Sequence, residues 1–109
     1  MSNFLVLKDS SRIRILRHEE IDIINAAGNY IEISKPCGTK LLHRESLKNI
    51  QAKLPRERFC RIHKSTIVRL DLIEELRPIH AGDYEVKLKN GNKVVLTRRF
   101  KNEFPLFND

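Results

Sequence analysis

At 109 residues the chain is long enough for one domain that buries a core, and no internal repeat or low-complexity linker divides it. Lys and Arg total 21 against 14 for Asp and Glu, giving a net charge of +7 and a pI near 9.7. Such an excess favours nucleic acid, an anionic membrane or acidic proteins as partners and says nothing about fold. No apolar run reaches the roughly 18 residues that cross a bilayer, so no membrane span is expected in this segment. The start, Met1-Ser2-Asn3-Phe4, lacks the basic, apolar and small-residue regions of a secretory signal, and the expected location is cytoplasmic. Cys37 and Cys60 stand in no CxxC or Cys/His ladder, so no zinc frame is expected, and two reduced thiols are preferred over the alternative of a single disulfide.

Taken in order, Phe4-Leu5-Val6-Leu7 reads as a strand and Lys8-Asp9-Ser10-Ser11 as a turn. Arg12–Arg17 alternates charge with aliphatic residues, the pattern of a half-buried strand. His18-Glu19-Glu20 interrupts it, and Ile21–Ala27 resumes the strand pattern. Gly28-Asn29 is a turn, Tyr30–Ser34 alternates again, Lys35–Thr39 is a second turn, and Lys40–His43 is a short strand. The period then changes. Leu47, Ile50, Gln51 and Leu54 fall at i, i+3, i+4 and i+7, which predicts an amphipathic helix over 45–54. Glu45 suits its first turn, Lys53 its last, and Pro55 ends it. Phe59–Arg61 is strand-like and leads into a polar knuckle, Arg61-Ile62-His63-Lys64-Ser65. Ser65 is a candidate cap for a helical turn at Thr66–Val68. Asp71–Arg77, Tyr84–Lys89 and Lys93–Leu96 read as strands, the last two joined by the Asn90-Gly91 hairpin turn. Phe100, Glu103, Phe104 and Phe107 predict a short closing helix, cut down by Pro105. The total is about nine short strands and one clear helix, a mainly β domain.

An enzyme needs a nucleophile, a base and an electrophile stabiliser in one pocket. Cys60 and His63 are the nearest to such a pair, but their spacing along a strand puts them on opposite faces unless a bulge intervenes. His18, His43, His63 and His80 form no HxH or HxxxH pair, and no GxGxxG or P-loop is present. No catalytic activity, metal or cofactor is expected. A surface that reads bases needs less: hydrogen-bond donors on loops that enter a groove, with cations around them for phosphates. Three loops carry that set, Gly28-Asn29-Tyr30, Arg61-His63-Lys64-Ser65 and Thr97-Arg98-Arg99. Each alone is also an ordinary solvated turn.

Together they carry more. The segments IDIINAAGNYIEI, LLHRESLKNIQAKL, FCRIHKSTIVRLDLIEEL and LKNGNKVVLTRRFKNEF follow one another in the order and spacing of a known family. From about Arg12 to Phe104 the chain resembles the LytTR DNA-binding domain of bacterial transcriptional regulators. The resemblance implies an elongated arrangement of small antiparallel β-sheets with one packed amphipathic helix and short helical turns. It implies double-stranded DNA as the partner, read by loops in the grooves. Asn29 or Tyr30 then falls at bases from the first loop, and His63 and Lys64 from the knuckle, with Ser65 and Arg61 at phosphates. Arg98 reads from the third loop, with Arg99 beside it. Binding to direct-repeat half-sites and bending of the DNA are expected by the same likeness. The family is usually the output half of a two-component response regulator. A single domain over 1–109 is expected, as the C-terminal part of a longer regulator with a receiver or sensor domain on the same chain.

The competing reading is a basic protein- or RNA-binding β module without sequence-specific DNA readout. RNA platforms stack bases on exposed aromatics, whereas aromatics here are 6% and three of the phenylalanines cluster near the end of the chain.

Overall fold

The computed structural model describes residues 3–107, so the expected 1–109 domain runs past the described residues at both ends. Among those residues ten strands form three antiparallel sheets beside one α-helix. Strands β1 (Phe4–Lys8) and β2 (Ile13–Arg17) make a hairpin. Its turn is held by the Asp9 carboxylate, which accepts bonds from the backbone N–H of Ser11 at 2.8 Å and of Arg12 at 3.0 Å. The bonds from Ser11 and Arg12 bring that carboxyl down to about 2. The central sheet holds β3 (Ile23–Ala27), β4 (Tyr30–Ser34), β5 (Lys40–Arg44), β6 (Phe59–His63) and β7 (Thr66–Arg69), in the order β5-β4-β3-β7-β6. The third sheet is β8 (Ile73–Pro78), β9 (Tyr84–Leu88) and β10 (Lys93–Leu96), with β9 in the middle. Helix α1 covers Leu47–Lys53. The molecule is elongated, 44 × 26 × 24 Å.

The central sheet separates two cores. Because side chains alternate along a strand, neighbours in sequence go to opposite sides. Ile24 of β3, Ile67 of β7 and Phe59 of β6 face Leu47 and Ile50 of α1. Ile23, Val68, Cys60 and Ile62 face Val86, Leu88 and Leu96 of the third sheet, with Phe100 and Phe104 closing that side. Each fully buried aliphatic side chain here contributes roughly 1.5–3 kcal/mol.

The structure departs from the sequence reading at five places. Ser46, rather than Glu45, starts the helix: its Oγ accepts the Asn49 N–H at 3.1 Å, the bond an N-cap makes. Glu45 lies outside the helix, where it accepts from the Asn49 side chain at 3.0 Å and pairs with Lys53 of the last turn at 3.9 Å. Thr66–Val68 is strand, not a helical turn, because Ile67 and Val68 each fill a different core and a helix would put both on one side. Leu70–Leu72 is a 3-10 turn, so the strand that follows begins at Ile73. The closing segment is two 3-10 turns, Arg98–Glu103 and Pro105–Phe107, since Pro105 has no N–H to carry a helix across the break. In β2 the alternation is inverted: Leu16 is buried, whereas Ile13 and Ile15 are 60% and 63% exposed. The guanidinium of Arg14 turns inward there and donates to the Leu42 carbonyl at 2.9 Å.

Candidate nucleic-acid interface

The pairing registers bring the three candidate loops to one end of the central sheet. Asn25 pairs with Thr66, so the β3–β4 turn at Gly28-Asn29 lies beside the β6–β7 knuckle. The Ala26 N–H donates to the Ser65 carbonyl at 2.9 Å, and the Thr66 hydroxyl donates to Asn25 Oδ1 at 2.9 Å. On the other side of the knuckle, the Thr97 N–H donates to the Ile62 carbonyl at 2.9 Å and ties the third loop to β6. Gly28 takes φ +64, a left-handed value that opens the first turn and leaves Asn29 and Tyr30 exposed.

The knuckle is built around a β-bulge between Arg61 and His63. The bulge leaves Ile62 without a cross-strand partner and sets His63 opposite Thr66 at the end of β6. His63 Nδ1 accepts the Ser65 backbone N–H at 3.1 Å and lies 2.9 Å from the Ser65 hydroxyl. An accepting Nδ1 puts the neutral ring's proton on Nε2, which makes no hydrogen bond with a described residue and stands as a donor. Lys64 is exposed at the tip. Arg61 runs beneath it: Nη2 donates to the Lys64 carbonyl, Nε to the His63 carbonyl at 3.3 Å, and Nη1 to Gln51 Oε1 at 3.4 Å. Three of the five guanidinium N–H groups are therefore used inside the chain, and two remain for an anion. Cys60 and His63 are not brought together. The Cys60 thiol is buried, directed at the carbonyls of Arg61 and Glu103, and burial pushes its pKa up to about 11.

The third loop is positioned from outside. The Arg98 N–H donates to Asp83 Oδ1 at 2.8 Å. Gly82, in the β8–β9 loop at φ +85, packs so closely that a Cβ there would lie 2.9 Å from Arg98 Cδ. The stem of Arg98 thus rests on the one residue type that leaves room for it. Arg99 and Arg61 both place their guanidinium over the Phe100 ring, at 5.3 and 5.4 Å from its centroid.

One residue at this end escaped the sequence reading. Tyr30 pairs with Arg44, the last residue of β5, so Arg44 stands beside the first loop and lines a shallow recess with Gly28, Asn29 and Ser46. Counting back from the Lys35–Thr39 turn, Ser34 opposite Lys40 puts Tyr30 opposite Arg44, so the signal was in the strand lengths. Lys40, Lys87 and Lys93 are paired with Glu32, Glu74 and Glu85 on the flanks, whereas Arg44, Lys64, Arg98 and Arg99 make no ion pair with a described residue. No group of three His, Cys, Asp or Glu side chains that could hold a metal occurs among the described residues, and no helix is long and apolar enough to cross a membrane.

A β-scaffold that presents three donor-bearing loops at one end, two of them cationic, defines a class of loop-reading surface. The family profile described as the LytTr DNA-binding domain matches residues 11–107, and the chain belongs to that family. It is similar to the sensory transduction protein LytT of Bacillus anthracis, 26% identical over 99 residues that make up 91% of this chain and 40% of the relative. It is similar to the protein of the same name from Enterococcus faecalis, 27% identical over 109 aligned positions, 94% of this chain and 42% of the relative. The chain therefore spans about two fifths of the length of these curated relatives. A solved LytTr DNA-binding domain from Bacillus cereus superimposes with a TM-score of 0.82 at 19% identity, over 100% of both chains, which shows the shared fold.

Proposed function

We propose that the chain is a sequence-reading, double-stranded-DNA-binding unit and the output part of a longer bacterial transcriptional regulator. The observation that carries this is the convergence of three loops at one end of the central sheet, their cations left unpaired, in a chain of the LytTr family. Lys64, the Nε2–H of His63 and Arg98 read base edges in the groove, with Asn29 or Tyr30 from the first loop. Arg98 is suited to guanine because its fork matches O6 and N7. Ser65, Arg99, Arg44 and the two uncommitted N–H groups of Arg61 meet phosphates. Each chain takes one half-site of a direct repeat, and any contact between the two copies is then head to tail rather than about a two-fold axis. The relatives, named as sensory transduction proteins and more than twice as long, support a receiver or sensor domain on the same full-length chain, and in this reading the site of action is the cytoplasm. No catalytic step belongs to this reading.

The test is selection of duplexes from a random library at about 150 mM salt, where sequence-independent binding is weak. One recurring motif with half-sites about one helical turn apart is the expected result. Retained duplexes without a motif, bound with an affinity that collapses as salt rises, would refute base reading. On the selected site Arg98→Ala then costs about 1–3 kcal/mol and relaxes base choice at one position.

A further inference from the structure

A cavity of about 350 Å³ lies between the end of α1, β6 and the closing 3-10 turns. Its floor is apolar, with Leu54, Phe59 and Ile67 beside the buried Cys60 thiol. Its rim is polar and uncommitted: the side chains of Arg56, Asn102 and Glu103 make no hydrogen bond or ion pair with a described residue. Polar and apolar groups share the lining about equally, and a cleft that sets convergent polar groups over an apolar floor is one form of small-molecule site. The charged groups are two guanidiniums, Arg56 and Arg61, against one carboxylate, Glu103. The balance of one positive charge matches a monoanion.

We propose that this cavity binds a small organic acid, an aromatic or short branched body bearing one carboxylate, and that occupancy loosens the Lys64 knuckle. The link is Arg61. It lines the cavity, and the same guanidinium braces the carbonyls of His63 and Lys64. A carboxylate is a stronger acceptor for a guanidinium than a neutral carbonyl, and it binds both arms of the fork. The two N–H groups of Arg61 that the chain leaves free sit on Nη1 and Nη2, and a ligand carboxylate that takes both pulls the guanidinium into the cavity, so the bonds to the His63 and Lys64 carbonyls lengthen and the brace weakens. The coupling is reciprocal, so DNA weakens the acid by the same factor that the acid weakens DNA. The regulatory half of this inference rests on the DNA-binding reading, and the binding half does not.

The experiment uses the full 109-residue chain with indole-3-acetate as probe and neutral indole-3-acetamide as control, at constant ionic strength adjusted with chloride. Amide chemical shifts are titrated first. Saturable shifts centred on Gln51, Cys60 and Asn102, with a dissociation constant on the order of 1 mM for the acid and none for the amide, are expected. Operator affinity is read next and falls about fivefold at saturating probe. Asn102→Trp blocks the exposed mouth without touching the knuckle, keeps DNA binding and abolishes both responses. Arg56→Gln removes one charge and weakens the probe. Absence of saturable shifts overturns the site. Equal binding of acid and amide overturns the carboxylate. Saturation with unchanged DNA affinity overturns the coupling. If the chain binds no duplex even without probe, the DNA reading and the coupling both fall, and the titration alone decides the cavity.

Discussion

Gly82→Ala separates a strained backbone from a displaced reading residue. Gly82 has φ +85, so an alanine costs about 1–2 kcal/mol from its left-handed backbone alone. That corresponds to a melting temperature lower by roughly 4–8 °C per kcal/mol for a domain near this size. The new methyl also has nowhere to go. It would meet Arg98 Cδ at 2.9 Å, Cγ at 3.1 Å and Cβ at 3.3 Å, so the arginine stem must swing off the β8–β9 loop. A bidentate arginine contact is worth about 1–3 kcal/mol, a factor of about 5 to 150 in affinity. The stem is flexible and recovers part of its reach, so the expected loss on the selected duplex is at the low end, about five- to tenfold. Loss on random duplex stays under about twofold, because Arg98 keeps its charge. Gly91→Ala is the matched control: φ is +91, with nothing within 4 Å of the added carbon. It loses comparable stability and keeps its DNA affinity. Fluorescence anisotropy on both duplexes, with thermal melts of each variant, gives the answer. Equal DNA affinity for the two alanine variants would refute the argument that Gly82 holds Arg98 in its reading position.

Arg61→Ala removes the brace under Lys64 together with the two spare donors, so the salt slope falls by about one and the selected duplex loses more than random sequence. Equal losses on both duplexes would show that the carbonyl contacts do not shape the knuckle. Arg61→Lys does not rescue, since one ammonium cannot span the two carbonyls and Gln51. His18 and His43 are buried, and burial, helped by Arg58 and Arg14 respectively, lowers both pKa values from 6.5. The folded rings stay neutral while the unfolded rings ionise near 6.5, so stability is full above that pH and falls as acid is added. Urea midpoints at pH 7.5 and 5.5 check this, and a midpoint that holds or rises at 5.5 would refute it. Iodoacetamide at pH 8 labels exposed Cys37, whose pKa is lowered by its bond to the Thr39 hydroxyl, and spares Cys60, whose pKa is about 11. Mass spectrometry of the native chain then finds one adduct, and a second appears only in denaturant; rapid double labelling would show that Cys60 is open.

Nine of the ten strands, the single helix and the hairpins were legible because alternation and turn residues are local signals. β2 misled for a physical reason. Its pattern is as regular as that of Tyr30–Ser34, but period two does not say which face is inside, and there Leu16 and the Arg14 stem win over Ile13 and Ile15. Thr66–Val68 misled because a short apolar run has no period of its own. The family likeness located the three loops and named the residues on them. What it left out are the contacts that aim those residues: the bulge at His63, the brace from Arg61 and the Gly82 seat under Arg98. The Gly82 seat joins positions far apart in sequence, and the bulge and the brace, though local, depend on backbone geometry that residue types do not spell out.

The wall between the two cores also changes what a substitution means. Ile67 and Val68 are adjacent and alike, yet one answers to the helix and the other to the third sheet. Exchanging them would leave composition, hydropathy and β propensity untouched while misfitting both sides at once. Such a chain is written twice along the same strand, with odd and even letters addressed to different readers. A conservative exchange is therefore least tolerated where the letters look most interchangeable, on β7, one of the two strands that carry the knuckle.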